Sequence, residues 1–238
     1  MMLALADVRI SSELESALKK YADTIIKLPP FSRLAKPVSS HPDMLIFEYG
    51  DKIYTWKEYF DENPQVFKEL SSAGYKIAAI GESASAKYPC DVRLNCARVG
   101  NYVIANTRHV SSVISQLALE NRLVLLHTNQ GYAKCSTVTV SENSLITADE
   151  SIYRAATDAG LDALKINSGN VRLDGYDTGF IGGATAVTEN HVLFCGNLHS
   201  HPDAEKIASF CQSHGKNAVS LTNGALYDYG TVMMLNNS

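Results

Sequence analysis

Long apolar runs, long runs of like charge and closely spaced cysteines are all missing from this 238-residue sequence. No apolar stretch approaches the ~20 residues that a membrane-spanning helix needs. The opening MMLALADVRI has neither the long apolar centre nor the small-residue cleavage site of a signal peptide. The net charge is only −4, so nothing in the charge balance suits nucleic acid or an anionic membrane as a partner. Cys90, Cys96, Cys135, Cys195 and Cys211 are odd in number and lack metal-type spacing. They read as reduced thiols, which places the expected protein in the cytoplasm. Cofactor fingerprints are absent too. Gly179-Phe180-Ile181-Gly182-Gly183 has the wrong spacing for a phosphate-binding loop and sits inside an expected strand, where glycines mark a bulge or a close backbone approach. Ser83 and Ser85 lack the glycine frame of a nucleophile elbow. No cofactor is expected.

What is present is an ordinary apolar content, 45%, enough to bury the core of one domain over 1–238. The clearest stretch runs from Gln130 to Ser151. Cys135 to Val140 and Leu145 to Thr147 read as a hairpin around Ser141-Glu142-Asn143-Ser144. Asp149 stands where a helix cap belongs, Ile152, Ala155, Ala156 and Ala159 share one helical face, and Gly160 ends it. Asp162 to Ile166 supplies another strand. The order is strand, strand, helix, strand.

The same order recurs. Met44–Phe47, Ile53–Trp56, the helix after Asn63-Pro64 and Lys76–Ile80 form one unit. Val92–Val99, Tyr102–Ala105, His109–Glu120 and Arg122–His127 form the next. Phe180–Thr188, Val192–Cys195, the helix begun by Pro202 and Asn217–Leu221 form the last. Four full units therefore recur at roughly 45 residues, as repeat arrays do. The start of the chain has strand Leu3–Ile10, a helix capped by Ser11 or Ser12, and strand Thr24–Leu28, but no first strand. The end has a lone strand, Thr231–Leu235. Together these leftovers make a fifth unit if the two ends of the chain share a sheet, and closure of that kind leaves no exposed terminal repeat.

A ring of five such α/β units resembles the pentein fold, a five-bladed propeller. Its members are guanidino-group-modifying enzymes (arginine deiminase, dimethylargininase, amidinotransferase) and a ribosome anti-association factor. The phrases HPDMLIF, YPCDVRLN, QGYAKCS, GFIGGA and HPDAEKI resemble a compact, uncharacterised family within that fold. The resemblance implies a pocket on the pseudo-fivefold axis, where each unit's first strand begins. Those starts are His41-Pro42-Asp43, Pro89-Cys90-Asp91, Ala133-Lys134-Cys135, Tyr176-Asp177 and Tyr227-Asp228-Tyr229. Four carry an aspartate and the third carries Cys135. The catalytic penteins place a cysteine nucleophile at the start of the last unit, where Tyr229 or Gly230 stands here, and no cysteine follows Cys211. Their histidine precedes the fourth aspartate, where Gly175 and Tyr176 stand. The standard cysteine and histidine positions are therefore not kept.

Two functional readings follow. In the first, Cys135 beside Lys134 acts as a nucleophile with His41 as its base. That would make the protein a cysteine-dependent hydrolase or transferase acting on C–N bonds. Converging carboxylates would hold a small cationic guanidino or amine compound, with Asp43, Asp91, Asp177 and Asp228 as acceptors and Arg93 and Lys134 beside them. In the second, the ring binds a small molecule or another macromolecule without catalysis, and each aspartate only ties down its own turn. A free cysteine is more often a small buried hydrophobe than a nucleophile. His199-Ser200-His201-Pro202-Asp203 has metal-like spacing, but Pro202 and Asp203 are also what a helix start requires, so no metal is expected. Substrate and oligomeric state are not written in these residues.

Overall fold

The computed structural model describes residues 1–236, so the last two residues of the expected 1–238 domain lie outside the described residues. The chain opens with β1 (Met2–Asp7), α1 (Ser12–Leu18) and β2 (Thr24–Leu28). A helical turn, α2 (Pro42–Leu45), leads into β3 (Ile46–Tyr49) and β4 (Lys52–Trp56), then α3 (Lys57–Glu62), α4 (Pro64–Ser72) and β5 (Lys76–Ile80). β6 (Ala97–Val99), β7 (Tyr102–Ala105), α5 (Ser112–Glu120) and β8 (Val124–His127) follow. Next come β9 (Thr137–Ser141), β10 (Ser144–Thr147), α6 (Glu150–Asp158) and β11 (Asp162–Lys165). β12 (Thr185–Val187), β13 (His191–Phe194), α7 (Ala204–Ser213), β14 (Asn217–Ser220) and β15 (Met233–Asn236) complete the chain.

These strands form five three-stranded mixed sheets. In each, the middle strand is antiparallel to one neighbour and parallel to the other. The parallel pair needs a long crossover, which each unit's helix supplies. The two ends of the chain share a sheet. Met2 pairs with Asn236, Leu3 with Leu235, Ala4 with Met234 and Leu5 with Met233.

Burial follows from this plan. Middle strands are covered on both faces, so they read as continuous buried runs rather than alternating ones. Ile53 to Trp56, Ser144 to Thr147 and Leu3 to Asp7 are all buried. The strands reached by the crossovers are the outer edges and are largely exposed or half-buried. Helices start where sequence chemistry puts them. Asp149 accepts from the backbone N–H of Ser151 and Ile152 at 2.8 and 3.0 Å, and Ser11 accepts from Leu14 at 3.1 Å.

Each unit's first strand begins later than the apolar pattern suggests. The second starts at Ala97 rather than Val92, and the fourth at Thr185 rather than Phe180. The preceding residues turn instead, because their polar groups bond across to neighbouring units. Helix α3 was not legible in the sequence. First strands of successive units lie side by side: β6 by β9, β9 by β12 and β12 by β15. No helix among the described residues is long and apolar enough to cross a membrane.

Candidate functional site

The strand starts are joined by hydrogen bonds that run from unit to unit and return to their origin. Asn95 Nδ2 donates to the Asp43 carbonyl at 3.0 Å, and its Oδ1 accepts from the backbone N–H of Lys134 at 2.8 Å. Gly183 N–H donates to the Cys135 carbonyl at 2.9 Å, and Thr231 N–H donates to the Gly183 carbonyl at 2.9 Å. Asp43 N–H donates to the Gly230 carbonyl at 3.0 Å, and Thr231 Oγ1 donates to Asp43 Oδ2 at 2.9 Å. Two glycines make this approach possible. A Cβ on Gly183 would lie 2.0 Å from Asp228 Oδ1, and one on Gly230 would lie 2.1 Å from the His41 Cβ. Thr231 has φ +61°, a conformation that costs a β-branched residue about 1–3 kcal/mol.

Inside this circuit sit Asp7, His41, Asp43 and Asp228, each at most 1% exposed. Asp7 accepts from Arg9 Nε at 2.8 Å and pairs with its guanidinium. His41 lies between two carboxylates, with Nε2 3.8 Å from Asp7 and Nδ1 3.7 Å from Asp228. Asp228 accepts from the N–H groups of Phe180 and Gly230 at 2.8 and 2.9 Å but has no cation beside it among the described residues. Burial pushes Asp228 up to about 7 and Asp43 up to about 6, and it pushes His41 down to about 4. At neutral pH the imidazole is uncharged, and Asp228 holds a proton more readily than His41 does.

The residues singled out in the sequence fare differently. Cys135 is 3% exposed and its thiol takes a hydrogen bond from Asn95 Nδ2 at 3.1 Å. Burial, followed by the Asp43 carboxylate, raises its pKa well above the ordinary value. The lysine-lowered thiolate expected from Lys134 is therefore corrected, because desolvation and nearby carboxylates outweigh one cation. Burial lowers the pKa of Lys134 itself. Asp43 and Asp228 come together in the buried cluster. Asp91 is also buried, but its Oδ2 accepts from the Tyr132 hydroxyl at 2.7 Å. Arg93 is half-buried, with Nε lacking a partner among the described residues. Asp177 is exposed, on a loop that lines a separate surface depression, so the four aspartates do not converge as a set. His199 is exposed, while Asp203 is held by Asn167 and Lys206.

Asp7, Arg9, Asn95 and Thr231 were not among the expected site residues. The alternation Asp7-Val8-Arg9 at the end of an apolar strand was the available signal for the first pair. Thr231 had no signal, because its strain comes from the close approach of Gly183 and Asp43.

On the far side of Thr231 and Lys134 lies a cavity of about 550 Å³. All five first strands contribute to its wall: Ile46–Glu48, Arg98, Thr139–Ser141, Val187 and Met233–Leu235. Glu48, Glu142 and Glu189 line it, and none forms an ion pair among the described residues. Burial raises the pKa of Glu48, and the charges of Arg98 and Lys134 only partly offset it. Two of the cations in the wall are already engaged. The Lys216 ammonium donates to the carbonyls of Thr188 and Glu189, both at 2.6 Å, and the Arg98 guanidinium stacks 5.0 Å from the Tyr49 ring centre.

This architecture is that of solved pentein structures. The chain is similar over 92% of its length to DDAH from Pseudomonas aeruginosa complexed with citrulline, covering 90% of that chain, at 13% identity and a TM-score of 0.57. Agmatine deiminase from C. jejuni is similar over 92% of this chain and 87% of its own, at 8% identity and a TM-score of 0.55. The N-terminal domain of ArgZ, covalently bound to a reaction intermediate, is similar over 92% and 90%, at 9% identity and a TM-score of 0.55. At these identities the likeness establishes the pentein fold alone. No curated protein matches in sequence. A family profile matches residues 5–233, and the chain belongs to that family, which is described as a family of unknown function (DUF6873).

Proposed function

We propose that this protein is a closed five-bladed propeller that binds a small guanidino or amine compound in its axial cavity, without thiol-based catalysis. The observation that carries the reading is the cavity wall, where Glu48, Glu142 and Glu189 lack ion-pair partners among the described residues and where the charges of Arg98 and Lys134 only partly offset the burial of Glu48. Lys134, at the inner end, offers a single cation to an acid group. A ligand with a guanidinium or ammonium at one end and a carboxylate at the other satisfies both. Pairing of the terminal strands and the hydrogen-bond circuit support closure. The raised pKa of Cys135 supports binding over attack, since a protonated, buried thiol is a poor nucleophile.

The test is a thermal-shift screen with arginine, agmatine, dimethylarginine and polyamines. The reading expects a saturable rise in melting temperature with arginine, smaller with agmatine, and no release of citrulline or urea on prolonged incubation. Absence of any shift across the set counts against the cavity as a cation site. Turnover that is abolished in Cys135→Ala would restore the catalytic reading.

A further inference from the structure

A second cavity of about 140 Å³ lies between the β9–β11 and β12–β14 sheets and shares no lining residue with the axial one. Two polar atoms of residues in its wall, Ser136 Oγ and His201 Nε2, have no hydrogen-bond partner among the described residues. Both residues are 3% exposed, so leaving those atoms unpaired is costly. The backbone fixes what His201 offers. Asp203 N–H donates to Nδ1 at 3.1 Å, which leaves the ring proton on Nε2. Burial lowers the pKa of His201, and the Asp203 charge and the nearby Asn167 backbone, which does not meet hydrogen-bond geometry at Nε2, only partly offset it. The unpartnered groups of the wall are therefore one N–H donor and one hydroxyl, beside the hydroxyls of Ser168 and Thr178.

Charge at the wall narrows the ligand. Asp149 lines the cavity, but its oxygens already accept from Ser151, Ile152 and Gln130. It needs no further cation, and its charge disfavours an anion nearby. The imidazole N–H disfavours a cation. Phe180 and Ile181 supply an apolar flank. A volume of this size holds about five waters or a molecule of about five to eight heavy atoms.

We propose that this cavity binds a small uncharged carbonyl compound of the amide type, its oxygen accepting from His201 Nε2–H and Ser136 Oγ–H. The site is separate from the axial one, and the two readings fail independently. The experiment titrates ¹⁵N-labelled protein with propionamide and follows the backbone amides of Phe180 and Ile181, with the His201 ring nitrogens as a second probe where that residue is kept. Propionate and propylamine serve as charge controls. His201→Asn keeps an acceptor near the Nδ1 position and removes the Nε2 donor, and Ser136→Ala removes the hydroxyl. A saturable shift with propionamide alone, weakened at least tenfold in either folded variant while the arginine response is unchanged, is the expected result. No saturation in the wild-type protein overturns the proposal. So does an equal response to propionate, an affinity unchanged by both substitutions, or a crystal with propionamide in which only water meets the two atoms.

Discussion

Asp203 and Asp228 each sit beside a buried histidine, yet they titrate in opposite directions. Asp203 is held at about 2, first by the backbone N–H of Asn167 and then by Lys206. Asp228 is pushed up to about 7 by burial, and the neighbouring Asp43 carboxylate adds to the shift. Asp203 accepts from three donors, one of them an ammonium at 2.9 Å. Asp228 accepts from two backbone N–H groups, and its nearest basic group is a neutral imidazole 3.7 Å away. The difference teaches that desolvation set against the available donors and cations decides the charge of a carboxylate here, not its place beside a histidine. At the rim an ionised aspartate anchors a helix start. In the buried cluster Asp228 holds its proton up to about pH 7 and acts as a hydrogen-bonding part of a junction.

The sharpest way to break the axial half of this comparison is to fill its tightest gap. Gly230→Ala places a methyl group against the His41 Cβ at a residue with φ +71°. It should cost about 3–5 kcal/mol or abolish folding, read by chemical denaturation. Arg9→Met removes the cation from fully buried Asp7 while keeping some side-chain volume. Because Arg9 is itself half-exposed, a loss of about 2–3 kcal/mol is expected, below that of a fully buried pair.

Asp228→Asn sharpens the comparison through pH. The native carboxyl keeps a proton that the unfolded chain releases near pH ~4. Its contribution is thus present at low pH and lost as pH rises toward and through about 7. His41 works in the opposite sense, losing stability as pH falls from ~6.5 toward about 4, so it is silent above that window. Between pH 6.5 and 8 the wild-type urea midpoint should fall more steeply than that of Asp228→Asn. Parallel profiles would mean that Asp228 is ionised throughout. The smallest effect belongs to Asp177→Ala, which should stay within about 0.5 kcal/mol of wild type and leave arginine binding unchanged.

How much of this was legible follows the same divide. The outer parts of each unit obey local rules, so the cap at Asp149, the stripe Ile152–Ala156 and the strand Thr24–Leu28 could be read directly. Pairing of the chain ends followed from counting strands. The axis could not be read that way. Val92 to Asn95 and Phe180 to Gly183 have strand-like composition but turn, because Asn95 bonds to two other units and Gly183 packs on Asp228. Aspartates at strand starts were visible, but of the four expected to converge only Asp43 and Asp228 come together. Asp7 joined the cluster from a strand end, while Asp177 stayed on an exposed loop. Tertiary contacts, not local sequence, set those outcomes.

Unpaired carboxylates around the axial cavity are proposed to hold a guanidinium or amine. Isothermal titration of the wild-type protein and Glu48→Gln with arginine at pH 7.5 tests this most directly. Saturable heat in the wild type, with affinity at least tenfold weaker in the variant, is the result expected. Absence of binding, or equal affinity in the two proteins, would contradict it.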